Sequence, residues 1–247
     1  MKKFVEVKPN KTVLIERTQE IVIDKIKSAV AANGRCSIAL AGGGTPKPLY
    51  ESLAIQDLPW DKIHFFWGDE RYVPADHSDS NQLMARQALF DRIAIADSNI
   101  HPMQTNSNDP QKDAAMHEQE LKEFFGISSD EFPVFDLILL GLGDDGHTAS
   151  LFPHTDVLQE KSKAIAIGNK SGEPRITFTA PLINHANCVL FLVAGAGKQD
   201  ALAHIFEPDG DDFAYPARLI KPQGELWWLI DESAGKVLQD RDLVLNS

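Results

Sequence analysis

Residues 135–153 read FDLILLGLGDDGHTASLFP, an apolar strand that runs straight into glycines, two aspartates and a histidine. The unbroken run FDLILLG suits a central strand of a parallel sheet, which is covered on both faces and needs no polar alternation. Gly141, Gly143 and Gly146 also satisfy G-x-G-x-x-G, the spacing of a dinucleotide-binding turn. Three features oppose that use. Such a turn must open a helix whose first N–H groups face a pyrophosphate, yet Pro153 leaves little more than one turn. Asp144 and Asp145 would repel the diphosphate. The acid required about twenty residues on, for the ribose, falls in AIAIGN (164–169), which contains none. The glycines instead permit a tight turn that presents Asp145 and His147 at a strand tip, before an expected helix start.

Outward from this stretch, strands and helices alternate. TVLIERTQEIVIDKIKSAVAANG (12–34) is an amphipathic helix stopped by Gly34. CSIALAGGG (36–44), IHFFWGDE (63–70), NCVLFLVAG (187–195) and GELWWLID (224–231) read as strands. SNQLMARQALF (80–90), DAAMHEQELKEFFG (113–126) and KQDALAHIFE (198–207) read as helices. With no linker or repeat, the expectation is one Rossmann-like α/β domain over residues 1–247, its mostly parallel sheet covered by helices on both faces. Ligands of such sheets bind outside the carboxyl ends of the strands. Four strand ends carry unusual sequence: AGGGTPK, WGDERYVP, GLGDDGHTAS and AGAGKQD. In a parallel sheet all four share one edge.

The formal net charge of −12 argues against nucleic acid or an anionic membrane as a partner, and any anionic substrate must be gathered by a local cluster of cations. Cys36 and Cys188 sit in apolar runs, as reduced core thiols would, and no metal-binding spacing such as CxxC or HExxH occurs. The N-terminal stretch is basic but has no apolar core, and no run approaches ~20 apolar residues. A cytoplasmic protein, monomeric or weakly dimeric, is expected.

His147 is the candidate base, because a neutral imidazole, with a reference pKa of about 6.5, takes a proton from water near neutrality. Asp145 either steadies the ring or serves the turn. Residues 42–44 of AGGGTPKPLY are consecutive glycines. They let the N–H groups of Gly43 and Gly44 face an anion, with Thr45 as helix N-cap and Pro46 in the first turn. Arg71 is a cation at another strand end, beside Asp69 and Glu70, where a surface salt-bridge network is the alternative. Arg175 starts a strand. Lys198 starts a helix, where a cation opposes the helix dipole unless an anion joins it. Gln199 after Lys198 excludes a P-loop. A small phosphorylated metabolite undergoing acid–base chemistry fits this set.

GLGDDGHTASLFP, AGGGTPKPLY, WGDERYVPADHSDSN, RITFTAPLIN and LFLVAGAGKQDAL together resemble the motif set of the 6-phosphogluconolactonase family, in the right order, over about residues 36–222. The resemblance implies hydrolysis of 6-phospho-D-glucono-1,5-lactone to 6-phosphogluconate, in the oxidative pentose phosphate pathway. It also implies no cofactor, and a fold shared with glucosamine-6-phosphate deaminase. Arg71 or the glycine-loop N–H groups would then meet the oxyanion, Arg175 and Lys198 the phosphate, and Asp69 the sugar hydroxyls or Arg71. The deaminase is the rival enzyme, but it resembles this chain less: it has a glutamate five residues past the histidine, where this chain has Phe152. A non-catalytic phosphosugar-binding regulator is a further alternative, although no helix-turn-helix segment accompanies the fold. Asp144 within the turn, and His154 where glycine is common, depart from the family pattern.

Overall fold

The computed structural model describes residues 1–238; residues 239–247, which the expected domain includes, lie outside them. In chain order the strands are β1 (Lys2–Lys8), β2 (Cys36–Leu40), β3 (Ile63–Trp67), β4 (Asp69–Arg71), β5 (Leu137–Leu140), β6 (Ile165–Lys170), β7 (Glu173–Phe178), β8 (Cys188–Val193) and β9 (Glu225–Asp231). The α-helices are α1 (Lys11–Asn33), α2 (Lys47–Leu53), α3 (Asn81–Ala88), α4 (Pro110–Phe125), α5 (Ala180–Asn184), α6 (Gln199–Ile205) and α7 (Glu232–Gly235). Six strands form one parallel sheet in the order β1-β9-β8-β5-β2-β3. β4, β7 and β6 form a separate antiparallel sheet.

Alternate residues of the buried strands feed two cores. Ile38, Leu40, Leu137, Leu139, Leu190 and Leu192 pack with Leu14, Val22 and Ile26 of α1 and Leu49 and Tyr50 of α2. Ala39, Ile138, Leu140, Val189, Phe191 and Val193 face the other way, against Leu121 of α4, Leu182 of α5 and Leu202 of α6. Both faces are apolar, which is why these strands read as unbroken hydrophobic runs. α1 begins where Asn10 Oδ1 accepts from the Val13 N–H and ends at Gly34, whose φ of 74° forms a left-handed cap. Cys36 and Cys188 are buried and unbridged, on strands separated by β5, so about 9–10 Å of sheet lies between them, beyond disulfide reach.

The fold differs from the sequence reading in three places. IHFFWGDE is not one strand. At Gly68, whose N–H donates to the Leu40 carbonyl and whose carbonyl accepts from Phe178, the chain leaves the large sheet and enters the small one as β4. β1 and the β6–β7 hairpin were not foreseen as a parallel edge strand and a second sheet; the strand that carries Arg175 belongs to the latter. No helix follows His147; residues 148 and 151 instead form an isolated bridge. Among the described residues no helix is long and apolar enough to cross a membrane.

Candidate active site

The chain runs outward from β2 to β3 and then returns to β5 on the other side of β2, so the order of the sheet reverses between β2 and β5. Ligands of open α/β sheets bind in the crevice at such a switch point. Here the crevice is a cleft of about 310 Å³, walled by the tips of β2, β3, β5 and β8 and by the small sheet. Gly43, Gly44, Thr45, Asp69, Arg71, His147, Arg175 and Lys198 all line it. Asp145 does not; it reaches the cleft only through the His147 ring.

His147 Nδ1 lies 2.5 Å from Asp145 Oδ1, and the same oxygen accepts from the His147 N–H at 3.1 Å. The hydrogen bond from His147 holds the Asp145 carboxyl down at about 2, although partial burial pushes the other way. An ionised carboxylate only accepts, so Nδ1 carries the ring proton and Nε2 is left as the basic nitrogen. Gly143 makes this geometry possible. A Cβ on Gly143 would lie 2.0 Å from His147 Nδ1, so the ring occupies the space of the missing side chain. The turn closes through Gly143 N–H to His147 C=O at 2.8 Å, and Ala217 N–H ties the Gly146 carbonyl to a neighbouring segment at 3.0 Å.

Gly43 has φ of 88°, in the left-handed region that glycine alone adopts freely. Among the described residues the N–H groups of Gly43, Gly44 and Thr45 have no partner within the chain, so they form a set of donors on the cleft wall. Thr45 does not cap α2. Pro46 holds the N-cap position with helical φ and ψ of −79° and −16°, which leaves the Thr45 hydroxyl one residue too early, and no side chain caps the helix.

Arg71 and Arg175 stand directly opposite each other on β4 and β7. Like charges in that position repel. Burial, followed by the charge of Arg71, lowers the basicity of Arg175. Both Nε atoms are buried without a hydrogen-bond partner, although a guanidinium on Arg71 does donate to the Asp79 carbonyl. The expected salt-bridge alternative for Arg71 is not what forms: among the described residues it pairs with no carboxylate. Glu70 turns away and accepts from the N–H groups of Arg71, Asn81 and Gln82, fastening the start of α3. Asp69 is buried and accepts from Ser150 Oγ at 2.6 Å. An unneutralised arginine pair beside a row of free N–H groups suits a group carrying two negative charges.

Lys198 Nζ is ion-paired with Asp144 Oδ1 at 2.6 Å, so the chain itself supplies the anion that its place at a helix start calls for. Three contributions to the site escaped the sequence reading. Lys170, at the end of β6, adds a fourth cation to the cleft wall; only the hairpin, invisible in periodicity, brings it there. Phe152 contacts the rings or charges of two site residues, a role its apolar character alone does not announce. Ser150 holds Asp69 across 81 positions of sequence. His154, one of the departures, has φ of 56°, which explains why glycine suits that position.

The fold and cleft define an α/β protein that sets a carboxylate-paired imidazole against clustered cations at the switch point of its parallel sheet. A family model described as glucosamine-6-phosphate isomerases/6-phosphogluconolactonase matches residues 9–228, and the chain belongs to that family. A 6-phosphogluconolactonase of Nostoc sp. is 57% identical over 238 residues, covering 96% of this chain and 99% of that protein. One of Synechocystis sp. is 59% identical over 235 residues, covering 95% and 98%. The solved structure of 6-phosphogluconolactonase from Trypanosoma brucei superposes with a TM-score of 0.86 at 29% identity, covering 96% of this chain and 99% of that one.

Proposed function

We propose that this chain hydrolyses 6-phospho-D-glucono-1,5-lactone to 6-phospho-D-gluconate, an enzyme of the oxidative pentose phosphate pathway. The observation that carries the reading is the convergence of the His147–Asp145 pair and the Arg71–Arg175 pair on one cleft, in a chain whose relatives of high identity bear that activity's name.

In the mechanism, His147 Nε2 takes a proton from water as the water oxygen bonds to the lactone carbonyl carbon. The carbonyl π electrons move onto oxygen, and the N–H groups of the glycine loop, or Arg71, stabilise the oxyanion. When the intermediate collapses, the bond from that carbon to the ring oxygen breaks and the imidazolium returns its proton to the departing oxygen. Asp145, ionised throughout, holds the ring and offsets the charge it briefly carries. Arg175 and Lys198 hold the phosphoryl group, and Asp69 orients sugar hydroxyls. No covalent intermediate is needed, because the substrate is already an activated intramolecular ester.

The test offers the purified chain phosphogluconolactone and, separately, glucosamine 6-phosphate, with acid and ammonia release followed. Acid release from the lactone alone is expected. Ammonia release would favour the deaminase reading, and binding without turnover a regulator.

A further inference from the structure

We propose that Asp144 is a displaceable internal counter-ion of Lys198, which competes with the phosphoryl group of substrate and product and so sets how readily each is released. The inference rests on the reading of Lys198 as a phosphoryl ligand.

The ion pair joins the loop after β5 to the loop after β8, across the rim of the cleft. Its two partners differ in setting. Lys198 is 21% exposed and lines the cleft, whereas the Asp144 side chain is 74% exposed. The carboxylate can therefore swing into solvent at little cost while the ammonium stays in place. Gly197 allows the approach: a Cβ there would lie 3.3 Å from Asp144 Oδ1, tighter than an ordinary contact. A neutral sugar has nothing to exchange for the carboxylate. A phosphoryl dianion does, because it engages Arg175 at the same time and replaces one exposed carboxylate oxygen with several acceptors. Hydrolysis then adds a carboxylate to the ligand, which makes the product more anionic than the substrate. Asp144 returning to Lys198 opposes retention of that product.

The experiment measures KM for phosphogluconolactone and the inhibition constant of 6-phosphogluconate in the native protein, in Asp144→Asn, in Lys198→Gln and in the double variant, with unphosphorylated gluconolactone as a second substrate. An exposed pair of this kind shifts an equilibrium by about two- to fivefold. Asp144→Asn is expected to lower KM and the product inhibition constant together by that factor. It should leave the unphosphorylated lactone unaffected and lose its effect when Lys198 is Gln. No change in either constant, or an equal change with Lys198 removed, overturns the counter-ion role. If Lys198→Gln alone leaves KM for the phosphorylated lactone unchanged, the phosphoryl assignment of Lys198 fails first and takes this inference with it.

Discussion

His147 and Arg175 rest on the same phenyl ring: Phe152 lies 4.6 Å from the imidazole, tilted by 43°, and 5.5 Å from the Arg175 guanidinium carbon. Phe152 is 5% exposed, so its position is fixed by the surrounding core. One side chain thereby sets the spacing between the proposed base and the proposed phosphoryl ligand. In the deaminase pattern the same position carries a glutamate that serves the chemistry; here it braces other groups.

Phe152→Leu keeps the apolar volume but removes the ring face from both partners. Aromatic and cation–π contacts of this kind contribute about 0.5–2 kcal/mol. The variant is expected to lose about 2- to 30-fold in kcat/KM for phosphogluconolactone, with part of the loss in KM through Arg175 and part in kcat through His147. Steady-state kinetics on a variant with native circular dichroism checks this, and unchanged constants would make the ring mere filler.

His147→Ala removes the proposed base and leaves the cations in place. Turnover should fall by about 10²–10⁴-fold with KM little changed. A proportionate rise in KM would instead mark the ring as a binding group.

Gly143→Ala tests whether the turn exists to seat the imidazole. With a Cβ 2.0 Å from Nδ1, the ring must move away and its bond to Asp145 must break or re-form elsewhere. Displacement of a reacting group by about 1 Å can cost about a hundredfold in rate. A loss of that order in kcat is expected, with a smaller change in melting temperature. An alanine variant of native activity would show that the ring's position is not what matters.

The placement of these groups was partly legible in the chain. Buried parallel strands announce themselves as apolar runs, and the fold's own rule then gathers their carboxyl ends, so Gly43, Asp69, His147 and Lys198 could be brought together without coordinates. Pairwise relations across long separations could not. β4 is three residues long and carries polar side chains, and its pairing with β7 is fixed by the course of the chain after Gly68, not by any local pattern. The Arg71–Arg175 apposition, the bond from Ser150 to Asp69 and the arrival of Lys170 all depend on that pairing. β1 was hidden for another reason: KKFVEVK carries charges on an edge strand that is only partly buried, so its alternation is weak. Thr45 shows the limit of local rules, since one proline in helical conformation shifts the cap by a residue.

The arginine pair predicts where an anion binds. Arg175→Met removes one of two like charges held opposite each other, which relieves repulsion of about 0.2–1 kcal/mol, but it also gives up the contact with Phe152, worth about 0.5–2 kcal/mol. In phosphate-free buffer the two effects oppose each other, and the variant should melt within about 4 °C of the native protein. Added inorganic phosphate should raise the native melting temperature and move the variant's much less, because only the native protein gains from binding it there. Equal responses to phosphate would place the anion elsewhere.

A second network, remote from the cleft, makes a prediction about pH. His64 Nδ1 meets His101 Nε2 at 3.2 Å, and His101 Nδ1 meets Glu120 Oε1 at 3.0 Å. The other Glu120 oxygen lies 3.3 Å from His117 Nδ1, and Arg35 lies over Phe124 beside His64. Burial, then the charges of His101 and Arg35, lowers His64 to about 4. Unfolded, the same ring titrates near 6.5. Between these values the unfolded chain binds more protons than the folded one, so stability rises with pH across the window and falls as pH drops from about 6.5 towards 4. Glu120 is held at about 2: burial pushes it up, but the bonds from His101 and His117 outweigh that, so its contribution is lost only at lower pH. His64→Gln keeps a polar partner for His101 and removes the titration. Its midpoint of urea unfolding should therefore decline less than the native protein's between pH 6.5 and 4, while both decline together below that. Parallel curves through the upper window would show that His64 is not the group that titrates there.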